Sequence, residues 1–164
     1  MLDTTHLETK EVLQHAKKYA IEQGISEIVV ATTRGKTGVL AADLFPDDLK
    51  IVAVTHSTGF KEIGKQELTD ENKKKMDQKN VSIFTGPMIF HTWNDYYQKK
   101  QGTVTTTTMI ADTLRIFGQG TKVAVEIVAM AADAGLISEG PVLSIAGSRY
   151  GADTVLLITG TNSK

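Results

Sequence analysis

The sequence predicts an α/β domain built on a mostly parallel sheet, and three observations lead there. Short β-branched runs alternate with helical patterns along most of the chain, in the βαβ manner. The runs read as strands buried on both faces, as parallel sheets require. One late connection, residues 147–153, is too short for a parallel crossover, so the strand after it should run antiparallel to the one before it.

The elements follow in order. Thr5 and Glu8 have capping-box spacing, and Val12, Leu13, Ala16, Tyr19 and Ala20 then form one helical stripe that stops at Gly24. Residues 27–32 (EIVVAT) and 50–56 (KIVAVTH) read as the first two strands, with a short apolar helix over 39–45, closed by Pro46, between them. Thr69 opens a polar helix to about Lys79, and residues 81–85 form a third strand. Residues 88–102 mix Phe90, Trp93, Tyr96 and Tyr97 with polar residues and carry no clear period.

From Met109, the positions Ile110, Leu114 and Phe117 recur at helical spacing. Gly118 and Gly120 should then break the rod before a second helix carrying Val123, Ile127, Met130, Ala131 and Ala134. That helix is nearly apolar all round except for Glu126, so it should be either a core helix or an oligomer contact. Residues 142–146 and 154–158 are the last two strands.

Composition narrows the function. With 164 residues the chain is one domain's worth, able to bury its own core. Eighteen basic side chains face nineteen acidic ones, which leaves no overall field to attract nucleic acid or an anionic membrane. The absence of cysteine excludes disulfides and thiolate chemistry and suits a cytoplasmic location. No run approaches the roughly 18 apolar residues of a membrane span, and the polar N-terminus does not read as a signal peptide.

In open parallel sheets ligands bind beyond the carboxyl ends of the strands. Here those ends share a character: Thr32, Thr33, Arg34, Gly35, Lys36, Thr37 and Gly38 after the first strand; His56, Ser57, Thr58 and Gly59 after the second; Thr85 and Gly86 after the third; Gly147, Ser148, Arg149 and Gly151 after the fourth. The first loop leads into a helix whose free N–H groups and dipole favour an anion, while threonine and lysine can donate to phosphate oxygens. That reading outweighs an ordinary turn with solvated Arg34 and Lys36. Gly35 and Gly38 would let the backbone approach a ligand closely. The loop is not a P-loop, because Val30 stands where that motif needs its first glycine, and no G-x-G-x-x-G follows the first strand.

Arg149 could join the first loop in clamping one ligand if the fourth strand neighbours the first. Equally, its loop could be a tight connection with Arg149 paired to Asp153. His6, His15, His56 and His91 lack the spacing and carboxylate partners of a metal site, so no metal is expected. Only His56 lies at a strand end, where it could donate to a ligand, and an acid–base role would need a partner that the sequence does not identify. Glu126 could be a buried acid with a raised pKa, but pairing with Lys122 four residues earlier is favoured. Trp93 with Met88 and Phe90 could cover a flat ring, though sealing the underside of a loop is favoured.

The stretch IVVATTRGKTGVLAADLFPDDLKIVAVT, residues 28–55, resembles the carboxyl-terminal domain of pyruvate kinases, where a Thr/Ser/Gly/Arg-rich loop holds a phosphate of the allosteric sugar bisphosphate. Residues 114–137 (LRIFGQGTKVAVEIVAMAADAGLI) and 151–154 (GADT) extend the resemblance to the stand-alone archaeal and bacterial pyruvate kinase alpha/beta domain proteins. It implies a three-layer α/β/α fold with strand order 3-2-1-4-5 and an antiparallel fifth strand. It also implies that Thr32, Thr33, Arg34, Gly35, Lys36 and Thr37 are phosphate contacts. The fourth loop, Ala146-Gly-Ser-Arg-Tyr, is less glycine-rich than in the family, His56-Ser-Thr differs after the second strand, and residues 88–102 fit poorly.

Pyruvate kinase chemistry belongs to a β/α barrel that these residues do not contain, so that activity is not expected. The expected function is binding of a small phosphorylated ligand by a binding or regulatory module, possible candidates being flavin mononucleotide (FMN), a nucleotide or a sugar phosphate. Such a module could act as a homo-oligomer through the apolar helix around Val123 and Ala134. The alternative is a small enzyme, flavin-dependent or acting on a sugar phosphate, with His56 or Glu126 as acid–base group.

Overall fold

In the computed structural model, which describes residues 8–91 and 93–163, the chain forms the helices α1 (Thr9–Gln23), α2 (Lys36–Leu44), α3 (Asp70–Asp77), α4 (Trp93–Gln101), α5 (Thr106–Arg115) and α6 (Gln119–Asp133). The strands are β1 (Glu27–Ala31), β2 (Lys50–Val54), β3 (Ser82–Phe84), β4 (Gly140–Ala146) and β5 (Thr154–Gly160). They pair in the order β3-β2-β1-β4-β5. β1 is parallel to β2 and β4, β2 is parallel to β3, and β5 runs antiparallel to β4. The expected order and the reversal at the short connection are both present.

Two cores lie on the two faces of this sheet. Because side chains alternate along a strand, Ile28 and Val30 of β1 face one side, where Val12, Leu13 and Ala16 of α1, Ala41 of α2 and Met76 of α3 pack on them. Val29, Val52 and Val142 face the other side, against Ile127, Val128, Met130 and Ala131 of α6. The apolar α6 is therefore covered within its own chain, which makes it a core helix. Of the two roles expected for it, core helix or oligomer contact, the packing accounts for its apolar surface by the first.

Several boundaries differ from expectation. The capping box of α1 is made by Glu8 with Glu11, while Thr5 and His6 lie outside the described residues. Tyr19 turns outward at 41% exposure. α2 starts three residues before the expected Val39, so its first turn lies inside the loop that follows β1. Of the two glycines expected to break the α5–α6 rod, Gly118 does so, at φ 112°. Gly120 lies in the first turn of α6 instead, pressed so closely on Thr154 and Asp153 that a Cβ would overlap them. The segment 88–102, unreadable by period, contains α4. Ile110 and Phe117, expected on a packed stripe, are exposed. Among the described residues no helix is long and apolar enough to cross a membrane.

Candidate functional site

The first loop owes its shape to the contacts behind it. Gly35 is the N-cap residue of α2 at φ 93°, a region L side chains rarely adopt. The Asn72 and Leu68 side chains occupy the space a Cβ would need. Asn72 Nδ2 donates to the Arg34 carbonyl at 2.8 Å, tying the loop to α3. The buried Thr32 hydroxyl accepts from the Gly38 N–H at 3.2 Å, and Gly38 packs against Met76 and Thr32. Both glycines thus let neighbouring protein side chains approach closely.

The N-cap residue of α2, a glycine, has no side chain to cap it, and no acid lies in the first turn. With Gly38 already bonded to Thr32, the N–H groups of Lys36 and Thr37 are the donors left at the positive end of the helix dipole.

At the end of β2 the structure supplies the partner that the sequence did not. His56 Nδ1 lies 2.9 Å from Glu67 Oε2, and His56 Nε2 lies 3.5 Å from the Thr33 hydroxyl. With Nδ1 turned to the carboxylate, Nε2 is the ring nitrogen that faces the first loop. Gln66 Nε2 donates to the His56 carbonyl at 3.0 Å, which holds the Glu67 segment against the strand end. Phe60 covers the imidazole, with ring centroids 4.3 Å apart, and meets His91 edge-on at 6.0 Å.

His91 has a carboxylate neighbour as well. Its Nδ1 lies 3.3 Å from Glu126 Oε1 and 3.1 Å from Lys122 Nζ. Lys122 Nζ donates to Glu126 Oε2 at 2.5 Å, and the Phe90 N–H donates to Oε1 at 2.8 Å. Lys122 and Glu126 are almost completely buried, at 0% and 1% exposure. Burial pushes the Glu126 carboxyl up, but His91, Lys122 and the Phe90 N–H together hold it below the ordinary glutamate value. Pairing, and not a raised pKa, is the outcome.

The parallel β1–β4 pairing brings the fourth loop beside the first, as the clamp reading required. Asp153 accepts from the Ser148 N–H at 2.8 Å and from the Thr154 hydroxyl at 2.6 Å. Among the described residues Arg149 makes no ion pair with it, and Arg149 is exposed at the cavity rim. On the far side the loop is anchored to α1 by the Ala152 N–H donating to the Thr9 hydroxyl at 3.0 Å.

These parts enclose a cavity of about 760 Å³, within the range of roughly 300–1,000 Å³ for small-molecule sites. Of the residues expected at a site, Thr32, Thr33, Arg34, Lys36, Thr37, His56, Gly147, Ser148, Arg149 and Gly151 line it. Gly35 and Gly38 stand behind the loop. Ser57, Thr58 and Gly59 fold into a turn beside the cavity, where Gly59 N–H donates to Lys65 O and Thr58 is exposed.

Thr85 and Gly86 fall away from the cavity because β3 is the edge strand, two positions from β1. Thr85 instead bonds Thr55 at 2.6 Å and borders a different hollow with Gln66 and Leu68, and Gly86 lies under the Phe84 ring. Reading strand ends alone did not find Phe60, Lys61, Glu67, Gln119 and Tyr150, or place His91, Lys122 and Glu126 here, although all line the cavity. Met88 lines it too, Phe90 is buried behind Lys122, and the Trp93 side chain lies outside the described residues. Among the described residues no group of three or more histidines and acids converges as a metal site would require.

The model of the family described as pyruvate kinase, alpha/beta domain, matches residues 10–158. The chain belongs to that family. Among solved structures, this pyruvate kinase alpha/beta domain is similar to a pyruvate kinase from Cryptosporidium parvum. The two are 14% identical with a TM-score of 0.49, over 96% of this chain and 24% of that one. A second structure of pyruvate kinase from the same organism matches at 12% identity and a TM-score of 0.46, over 94% and 23% of the two chains. The chain thus spans about a quarter of the length of the pyruvate kinases it matches. Within this alpha/beta domain the cavity brings together the start of α2 and the His56 imidazole.

Proposed function

We propose that this domain binds a small phosphate-bearing molecule in the cavity at the carboxyl end of the sheet, as a binding or regulatory module without pyruvate kinase activity. The observation that carries the reading is the uncapped start of α2, open to the cavity between Arg34, Lys36 and Arg149. A dianionic phosphate there would accept from the Lys36 and Thr37 N–H groups, complement the helix dipole and meet three cations. FMN, a nucleotide and a sugar phosphate all present such a group, and the location is the one the family resemblance assigns to a phosphate.

The test is to purify the protein, record its visible absorption, and identify by mass spectrometry any small molecule released on denaturation. Calorimetric titration with phosphorylated compounds follows. Saturable binding that weakens in Lys36→Ala supports the assignment; affinity unchanged in both Arg34→Ala and Lys36→Ala would refute it.

A second reading, a small enzyme acting on the same ligand, is favoured by one observation: Glu67 orients His56 so that Nε2 faces the phosphate loop. A carboxylate-oriented histidine is the common form of a general acid–base group. If turnover of a bound ligand is detected and His56→Ala leaves its rate intact, that role is excluded.

A further inference from the structure

Helix period predicts a packed stripe at Ile110, Leu114 and Phe117, and the fold leaves that stripe uncovered. α5 rests on α6 through its other side, where Thr108 and Ala111 are buried. Toward solvent it turns Met109, Ile110, Ile116 and Phe117, at 59%, 44%, 79% and 74% exposure, and the half-buried Leu114. At 3.6 residues per turn these five positions share one arc of roughly 160°. Single exposed apolar residues are ordinary on a protein surface, whereas a contiguous apolar patch marks a contact.

The arc is chemically suited to burial. Its other members are Thr106 and Thr113, and no charged residue lies on it. The Thr113 hydroxyl already donates to the Met109 carbonyl at 2.8 Å, so covering it leaves no donor without a partner. The two charged residues of α5 pair with each other, Arg115 Nη1 lying 2.6 Å from Asp112 Oδ1. Neither is left to recruit a partner of opposite charge, nor an anionic membrane, which surface helices engage through lysine and arginine.

We propose that the chain forms a homodimer through the outer face of α5, the two helices running antiparallel about a two-fold axis at Thr113. Contacts between identical surfaces close on such an axis and require a face complementary to itself. With the axis at Thr113, Met109 meets Phe117 of the second copy and Ile110 meets Ile116 of the second copy, apolar against apolar throughout. The exposed arc amounts to roughly 500 Å² of apolar surface per copy, given the size of its side chains. Two copies supply about 1,000 Å², close to the roughly 65% apolar share of a standard homodimer interface of about 1,600 Å².

The test uses the full chain, which has no cysteine, so that a single introduced thiol is a clean reporter. Sedimentation equilibrium of the wild type should give twice the chain mass at micromolar concentration. Phe117→Asp, with an unchanged far-ultraviolet circular dichroism spectrum, should raise the dimer dissociation constant about hundredfold or more, since each dimer loses two buried aromatic anchors. Mild oxidation should cross-link Thr113→Cys into a covalent dimer and leave Lys18→Cys, on the exposed side of α1, a monomer under denaturing electrophoresis. The thiol experiment stands whether or not Phe117→Asp folds. A wild type that stays monomeric, a dimer that Phe117→Asp leaves intact, or equal cross-linking of the two cysteine variants overturns the proposal. A monomer that floats with vesicles of phosphatidylcholine and phosphatidylglycerol, and stops doing so in Phe117→Asp, overturns it in favour of a membrane surface.

Discussion

Lys122 and Glu126 show what a single residue can cost. The pair is buried, and Glu126 is satisfied by Lys122, His91 and the Phe90 N–H together. Lys122→Met should therefore leave a buried carboxylate without its cation, held only by His91 and the Phe90 N–H, and destabilise the fold by about 3–5 kcal/mol. Lys122→Met combined with Glu126→Leu should recover most of that loss, because two apolar side chains of similar volume leave no charge behind. Urea denaturation at neutral pH measures both variants, and a double variant no more stable than the single one would show that the cluster stabilises by geometry rather than by mutual neutralisation. In the loop after β1, if the proposed phosphate binding holds, Arg34→Ala and Lys36→Ala should each weaken it by roughly 1–3 kcal/mol, the worth of a charge-assisted hydrogen bond, with little change in unfolding midpoint since both side chains are exposed.

At the scale of the element, α2 and α6 contrast in how they begin. α2 starts at a glycine that has no side chain to cap it, and of its first-turn N–H groups that of Gly38 is taken by the Thr32 hydroxyl. The start of α6 is committed to packing: Gly120 sits against Thr154 at the beginning of β5, where no Cβ fits. Gly120→Ala would normally stabilise an exposed helix by about 1 kcal/mol. Here it should destabilise by about 1–3 kcal/mol, the usual cost of overpacking, because either α6 or β5 must shift. A thermal melt decides the sign; a raised melting temperature would mean that Thr154 rotates away freely. Helix period revealed α6 and its apolar surface, yet it could not tell a glycine that breaks a rod from one that admits a neighbouring strand. Gly118 and Gly120 are two residues apart in sequence, yet the first supplies a positive φ and the second supplies room for a neighbouring side chain.

For the whole molecule, two acids link stability to pH. Glu27 is pushed up by burial, but hydrogen bonds from the Ser138 N–H and hydroxyl and the ion pair with Lys50 bring it below the ordinary glutamate value. Glu126 is lowered in the same sense. A carboxyl with a depressed folded pKa stabilises the fold above its unfolded pKa, about 4.3, and that contribution disappears as pH falls through the folded value. The urea midpoint should therefore vary little on their account between pH 7 and 5 and drop below about pH 4. Glu27→Gln should lower the midpoint at neutral pH and flatten the acid limb; an acid limb of unchanged steepness would place the linkage elsewhere. Glu27 joins β1 to the segment that leads into β4, so this acid also fastens the central strand to its neighbour's approach.

The sequence by itself determined the fold class, the antiparallel turn of β5 and the position of the first loop. Each of these depends on local quantities: the period of apolar residues, the length of a connection, and the residues that join a strand to the helix that follows it. The family resemblance supplied the strand order, which the sheet bears out. The tertiary structure alone decided which strand ends share a cavity, leaving Thr85 and Gly86 outside it and bringing in Phe60, Glu67 and Tyr150. It also decided that His56 and His91 each face a carboxylate, across separations of 11 and 35 residues. Period reports which face of an element is buried and carries no information about which side chain will stand opposite, so partners on different elements become legible only when the sheet has set its strands side by side.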